Sequence, residues 1–440
     1  MPNRIPSWVS ERIIQYAKNE RPTAIKFSDM LRFGAKPRQS ELLASSQFLS
    51  DEIPIRLAHR YVELGNLPYG IGELDVVKKI RNWYAESFKE LVEYGEELEM
   101  KRLNPDHAGP GENTGGLLSR MFSSKSEGSL PPLSAWALAN GTPVPQVKRP
   151  YFGSITEPHV LKHAHKYNEH FAMILKGIVE RHNPAVLTVA LAVRELRTTH
   201  PQIFEQPDAL QKFLDRFHGN RIAIRILIGH HASLALQKTH LPNHVGIVST
   251  KMDPGAVASD AAVDAAEVCE AALGVAPLVE IRCPPGGCPE MTFVPSHLHH
   301  VLFEVLKNAM RAVIEKEERR VGDGNAERSD MPPIIVTIES PTDQQVQIRI
   351  SDQGIGIPAQ NLSRLFTYAF TTAKPVRIDE HFSGDEVNAP LAGFGYGLPL
   401  SRLYLSYFTG NLWVVSKENE GTEVTLLLRK NFDGTEYFAH

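Results

Sequence analysis

The sequence predicts an α+β protein in two domains, an N-terminal four-helix bundle followed by a two-layer α/β sandwich. Three observations carry that expectation. Apolar residues recur at helical spacing through most of 26–240. From about 241 onward, short strands alternate with helices. Within that second domain a single apolar helix, Pro295 to Ile314, places His300, Glu304 and Asn308 four residues apart and so on one face. The 440 residues are too many for one typical core and fit two domains. The division falls at 26–240 and 241–440, with 1–25 as an N-terminal segment.

Composition narrows the function classes. Hydrophobic residues make up 42% and charged residues 22% of the chain, ordinary for a globular protein. No run approaches the ~18 apolar residues that a membrane span requires. A net charge of −4 gives no basic field, which argues against nucleic acid as the main partner. Three cysteines, Cys269, Cys283 and Cys288, argue for a reducing compartment rather than a disulfide scaffold. The Pro-Pro-Gly-Gly between the last two reads as a plain loop. The opening MPNRIPSWVSERIIQYAKNERPT mixes basic with acidic residues and has no apolar stretch, which excludes a secretory signal and makes a poor mitochondrial presequence.

From Lys26 to Leu103 the period is helical, with an opening at Ser28-Asp-Met-Leu and turns at Gly34 and Pro68-Tyr-Gly70. Pro54, inside the run Phe48 to His59, is expected to start or kink a helix. Glycine, serine and proline clusters break the pattern over 104–148, which reads as a mobile surface insertion. Helical periodicity resumes over Glu157 to Arg197 and Gln206 to Leu236 and completes the bundle. Arg221 and Arg225 share a helix face. With His182 they would make a cationic pocket for a small carboxylate; the plainer reading makes them salt-bridge partners on a helix surface.

The second domain begins with an alanine-rich helix, Ala256 to Leu273, and a short strand, Val279 to Arg282. After the 295–314 helix, Ile334 to Ile338, Val346 to Ile350, Leu412 to Ser416 and Val424 to Leu428 read as strands backed by helices on one face. Two glycine-bearing segments punctuate them. Asp352-Gln-Gly354-Ile-Gly356 follows a strand, where a carboxylate can accept a hydrogen bond from a ligand amine while the backbone passes close by. Gly393-Phe394-Gly395-Tyr396-Gly397-Leu398 opens a helical run, where backbone N–H groups can meet phosphates.

These elements suit phosphoryl transfer, which needs charge neutralised, a hydroxyl positioned and its proton taken. Asn308 offers a neutral oxygen to Mg²⁺. Glu304, one turn earlier, is placed to act as general base, and His300, a turn earlier again, to hydrogen-bond and tune it. Lys307 and Arg311 face either phosphate or solvent.

Taken together, the His-x-x-x-Glu-x-x-x-Asn helix, the Asp-x-Gly-x-Gly strand end, Thr371-Thr372, the Gly-x-Gly-x-Gly helix start and the late Gly421-Thr422 resemble the GHKL ATP-binding fold. That fold is shared by histidine kinases, gyrase and Hsp90-type ATPases. The whole chain resembles the mitochondrial protein kinases of the 2-oxoacid dehydrogenase complexes, and PSHLHHVLFEVLKNAMRA and APLAGFGYGLPLSRLY look most like the pyruvate dehydrogenase kinases.

The resemblance implies a GHKL-type sandwich that binds ATP and Mg²⁺, with K⁺ near the nucleotide. It implies a serine of the pyruvate dehydrogenase E1 alpha subunit as acceptor, phosphorylation that inactivates that subunit, docking on the lipoyl domain of the E2 core, a homodimer and the mitochondrial matrix. It assigns the adenine amine to Asp352 with Thr422, and close approach of the ring to Gly354 and Gly356. An ATP lid would span 366–392, with Thr371 and Thr372 at its start and Gly393 to Leu398 at its end touching phosphates. It assigns His182, Arg221 and Arg225 to an allosteric pocket for pyruvate-like acids.

Rival readings are weaker. None of the 18 histidines is followed by Asp or Glu, the usual mark of a histidine-kinase acceptor. A gyrase-like ATPase would need a transducer domain after Gly421-Thr422. An inactive ATP-binding scaffold is not favoured while Glu304, Asn308 and Asp352 are all present. Branched-chain 2-oxoacid dehydrogenase kinase is the near alternative: Phe370-Thr-Thr-Ala leans that way, Ala389-Pro-Leu-Ala and Tyr396 lean away. The stretch after Arg429 lacks Trp, so a dimer is expected to form mainly through the C-terminal sheet domains, with lipoyl binding independent of that tail.

Overall fold

The computed structural model describes residues 5–103, 151–153, 164–199, 208–237, 241–322, 327, 330–372 and 394–431. The expected insertion, residues 373–392 of the expected lid, Gly393 and the tail after 431 lie outside the described residues. In chain order the helical region holds α1 (Ser7–Asn19), α2 (Phe27–Leu31), α3 (Gln39–Gly65), a 3-10 turn (Pro68–Glu73), α4 (Asp75–Leu103), α5 (Ala164–Arg181), α6 (Ala185–Thr199) and α7 (Asp208–Leu236). The α/β region runs β1 (His244–Val245), β2 (Val248–Met252), α8 (Pro254–Leu273), β3 (Val279–Arg282), β4 (Met291–Phe293), α9 (Pro295–Val321), β5 (Ile334–Thr342), β6 (Gln345–Asp352), α10 (Ala359–Leu362), α11 (Gly397–Tyr407), β7 (Asn411–Lys417) and β8 (Gly421–Arg429).

The helical region is arranged around α3, whose Leu42, Leu49, Ile53, Leu57 and Leu64 are buried against α1, α4, α5 and α7. Pro54 lies inside α3 and starts no new helix. One lost N–H bond is offset there by the burial of Ile53, Ile55 and Leu57. Across Pro54, Arg56 donates to Glu52 at 2.8 Å with both side chains 3% exposed. Glu52 also accepts the Thr23 N–H at 2.8 Å, which fastens the strand-like lead-in to α2. Helix α1 falls in the segment read only as an N-terminal extension. Val9, Ile13 and Tyr16, at i, i+4 and i+7, are its buried stripe.

The expected continuous run over 157–197 is broken. Pro184 has no N–H and restricts Asn183 before it, so α5 ends at Arg181 and α6 restarts at Ala185. His182 sits in that break, buried.

In the α/β region a five-stranded sheet has the order β3-β5-β6-β8-β7, parallel only between β3 and β5. A small antiparallel sheet, β1-β2-β4, was not legible in such short segments. In the large sheet, register aligns Val336, Ile350, Val424 and Val414 in one row and Ile338, Ile348, Leu426 and Leu412 in the next. These rows face α9; each fully buried member contributes roughly 1.5–3 kcal/mol. Helix α9 lies between α8 and α11 across this face. Pro at N1 starts both α8 and α9, and glycines in positive φ, Gly274 and Gly322, end them.

Cys283 and Cys288 are joined as a disulfide around the Pro-Pro-Gly-Gly turn, with Cα atoms 5.0 Å apart. The expectation of a plain loop is corrected: positive φ at Gly286 and Gly287 folds the turn back so that the two side chains meet. Cys269 is free and buried.

Candidate active site

A cavity of about 170 Å³ opens between α9, the end of β6 and the start of α11. Of the residues expected at the site, Glu304, Lys307, Asn308, Arg311, Asp352, Gly356, Thr371, Thr372, Gly395, Gly397, Leu398 and Thr422 line it. Val305, Ala309, Ile350, Ile355, Ile357, Leu365, Val414 and Val424 supply apolar wall. His300, Gly354, Phe394 and Tyr396 do not line it, and Gly393 lies outside the described residues. Phe394 and Tyr396 are buried instead, Tyr396 completely, because the alternation of the glycine segment turns its aromatic rings into the core.

Asp352 is delivered by register. It pairs with Thr422, which pairs with Ser416, so three polar side chains form a row at the sheet's end on the face toward α9. Asp352 Oδ1 accepts the Gly354 N–H at 2.8 Å. Burial pushes its carboxyl up to about 6, against the pull of the Gly354 and Thr422 backbone N–H groups. Ser416, which the sequence reading missed, accepts the Ile357 N–H at 2.9 Å and lies 2.8 Å from the Thr422 hydroxyl. Strand alternation from Leu412 was the available signal.

The glycines of the first segment are closely packed. A Cβ at Gly354 would sit 2.6 Å from Ala312 of α9, whose carbonyl accepts the Ile355 N–H at 3.1 Å. Gly356 has φ +64 and abuts the Lys417 carbonyl. Both hold the loop between α9 and β7, and only Gly356 reaches the cavity.

On α9 the expected contacts change partners. Lys307 Nζ donates to Glu304 Oε1 at 2.6 Å, both side chains being less than a tenth exposed. Arg311 donates to Glu315 at 2.8 Å. Neither cation is left to solvent alone, and each is held by a carboxylate three or four residues along the helix. Asn308 is exposed in the cavity. His300 makes no hydrogen bond to Glu304; its Nε2 is buried without a partner. Its ring packs on Tyr404, centroids 4.9 Å apart. Burial holds the imidazole below its ordinary range, with the nearby Glu304 carboxylate pulling the other way.

His182, Arg221 and Arg225 do come together, around a cavity of about 10 Å³ closed by Tyr84, Ile224 and Ile228. That is about the space of one water. His182 Nε2 lies 3.0 Å from Ser87 Oγ and 3.2 Å from the Trp83 carbonyl. Burial pushes the imidazole down to about 4, so it is neutral at pH 7. Arg225 donates to Asn183 Oδ1 at 2.8 Å and is pulled down to about 10 by burial and by Arg221. Arg221 hydrogen-bonds Tyr404, the residue that packs on His300. Tyr404 is thus a second residue that sequence reasoning missed.

Comparison with known proteins agrees with this geometry. Residues 293–431 match the family described as histidine kinase-, DNA gyrase B-, and HSP90-like ATPase, and residues 24–249 the one described as mitochondrial branched-chain alpha-ketoacid dehydrogenase kinase. The chain is 33% identical over 421 residues to an Arabidopsis thaliana protein named pyruvate dehydrogenase (acetyl-transferring) kinase, mitochondrial, covering 94% of this chain and 92% of that one. A Schizosaccharomyces pombe protein of the same name is 33% identical over 94% of this chain and 95% of its own. A human protein named as isozyme 3 of that kinase is 30% identical over 96% and 86%. The α/β region is therefore a GHKL-type ATPase domain, carried behind an N-terminal helical region. The chain belongs to the family of mitochondrial 2-oxoacid dehydrogenase kinases.

Proposed function

We propose that this chain is an ATP-dependent protein serine kinase that phosphorylates and inactivates the E1 alpha subunit of the pyruvate dehydrogenase complex. One observation carries the reading: Glu304, Asn308 and Asp352 line a single cavity in a chain whose near full-length relatives are named pyruvate dehydrogenase (acetyl-transferring) kinase. The donor set fits Mg-ATP. Asp352 is a buried carboxylate facing an apolar slot, suited to an adenine amine, and Asn308 presents an amide oxygen where a hard cation would sit beside phosphates. Mg²⁺ held there would neutralise phosphate charge. A K⁺ ion near the nucleotide rests on the resemblance alone.

Asp352 and Thr422 would orient the base, and the N–H groups of Gly395 to Leu398 would face phosphate at the start of α11. Glu304 would take the proton from the incoming serine hydroxyl. His300, buried behind Glu304, would tune it through its field. Residues 26–240 would form a four-helix bundle serving regulation and lipoyl-domain binding, and 241–440 the catalytic domain, with 366–392 as lid. His182, Arg221 and Arg225 would bind a pyruvate-like acid: a buried and a half-buried guanidinium group on one helix face repel each other, and an anion relieves that cost. The small cavity requires side chains to move aside first.

A homodimer through the C-terminal sheet is supported by β7, an edge strand with Trp413 38% and Val415 64% exposed. The names of the relatives support a mitochondrial location, and the matrix rests on the resemblance. One specific observation favours a second substrate: the match of 24–249 carries the branched-chain name. Transfer of the γ-phosphoryl group to purified E1 alpha, with phosphoserine identified in the product, tests the main reading.

A further inference from the structure

We infer that Lys307 is a phosphate-released cover on Glu304, keeping the candidate base occupied until nucleotide is seated. The inference rests on the reading of the cavity as a nucleotide site. Both oxygens of Glu304 have a close neighbour. Oε1 accepts from Lys307 Nζ at 2.6 Å. Oε2 is packed so closely on Gly397, the first residue of α11, that a Cβ there would overlap it. A serine hydroxyl therefore meets a carboxylate that already holds an ammonium.

Lys307 also lies over the Phe303 ring at 4.8 Å and lines the same cavity as Glu304, so its ammonium is placed beside both the base and the space a ligand would fill. A buried ion pair has surrendered hydration on both sides and yields to a stronger anion. A triphosphate brings several charges and many acceptor oxygens against one carboxylate. The lysine stem is flexible, with three donors, and turns from one partner to the other by rotating its outer bonds. Arg311 is tied to Glu315 and does not cover Glu304.

Gly397, beside the other oxygen, belongs to the loop expected to meet the same phosphates, so one ligand reaches both neighbours of Glu304. The base is needed free at a single moment. As the bond from serine Oγ to the γ-phosphorus forms, the bond from that phosphorus to its bridging oxygen breaks. The electron pair leaves with ADP and the serine proton passes to Glu304.

The test measures binding of the non-hydrolysable analogue Mg-AMPPNP by calorimetry to the full chain and to Glu304→Gln, Lys307→Met and the double variant. Glu304→Gln is expected to bind on the order of tenfold tighter than the parent, since Lys307 no longer leaves a carboxylate, and the gain is expected to vanish in the Lys307→Met background. Equal gains in both backgrounds would mean simple relief of repulsion between Glu304 and phosphate, and no gain would mean that Lys307 stays in place. Either result overturns the inference. A parent chain that binds no nucleotide sinks the site reading itself, which is a distinguishable outcome.

Lys307→Met strands a buried carboxylate and can cost the fold, so a second measurement uses only Glu304→Gln. In ¹³C-glutamate-labelled protein, the infrared carboxylate band that is missing in Glu304→Gln is expected to shift when Mg-AMPPNP is added. A band that does not move overturns the inference equally.

Discussion

Tyr368 donates its hydroxyl to Asp215 Oδ1 of α7 at 3.0 Å, and its backbone N–H to Gln211 Oε1 at 2.8 Å. The stem leading to Thr371 and Thr372 is thereby fastened to the helical region. Arg197 of α6 donates to the next carbonyl, Ala369, at 2.7 Å. Ala369 has φ +61, a conformation that costs a non-glycine residue about 1–2 kcal/mol. The contacts from α6 and α7 hold it there. The return stem is docked alike: His218 stacks on Tyr368 and meets Tyr396 edge-on.

Tyr368→Phe removes the Asp215 bond while keeping the ring, so the stem loosens without a cavity. Nucleotide affinity is expected to fall about three- to tenfold, the worth of one partly buried hydrogen bond, with the circular dichroism spectrum unchanged. Calorimetry checks this; parental affinity would show that the stem holds its place without the bond.

Glu304 and Asn308 are expected to fail differently. Asn308→Ala should abolish Mg-dependent nucleotide binding, because the metal loses its protein ligand. Glu304→Gln should retain binding and lose roughly 10²–10⁴-fold in transfer. Single-turnover transfer beside a binding titration separates them, and near-normal transfer in Glu304→Gln would remove it from the base role.

Asp352 links stability to pH. Its folded carboxyl titrates at about 6, above the ordinary value of an unfolded aspartate. Between that ordinary value and about 6 the folded chain holds a proton that the unfolded chain has released. The Asp352 contribution to stability is therefore fully present at low pH, declines as pH rises through that window, and is constant above it. Asp352→Asn keeps an oxygen for the Gly354 and Thr422 N–H groups but carries no charge. At pH 8 it should be more stable than the parent nucleotide-free chain by on the order of 1–3 kcal/mol, while losing nucleotide affinity. Denaturant titrations at pH 8 and pH 5 check the sign: the stability gain should shrink at the lower pH, and a gain of constant size would exclude Asp352 as its source.

Arg221→Ala is expected to abolish inhibition by dichloroacetate or pyruvate and to leave uninhibited transfer largely intact. Since His182 is neutral at pH 7, the pocket's charge comes from Arg221 and Arg225 alone among its three named members. Inhibition curves for the variant decide this, and unchanged inhibition would return the arginines to a structural role.

Much of this architecture was legible because it is periodic. The helical run of α9 and the two-residue alternation of β6 and β8 locate Glu304, Asn308 and Asp352 without any coordinates. Partner choice was not legible. Whether Lys307 points at phosphate, solvent or Glu304 depends on a carboxylate one turn away and on how closely Gly397 approaches, and both are set by tertiary packing. The glycines show the same limit, since Gly354 and Gly356 look alike in sequence yet one faces Ala312 and the other Lys417. Ser416 and Tyr404 carry no motif, and only strand register and helix packing bring them to the site. The split at Pro184 could have been read from the proline, but apolar spacing on both sides masked it.

Competition between the two dehydrogenases identifies the substrate. Purified pyruvate and branched-chain dehydrogenase components, at equal concentration in one reaction, receive γ-labelled ATP and this chain, and the labelled subunit is identified by mass spectrometry. Phosphoserine is expected on the pyruvate dehydrogenase E1 alpha subunit and is expected to be absent with Glu304→Gln. Label accumulating instead on the branched-chain E1 subunit, or only on the kinase itself, would contradict that expectation.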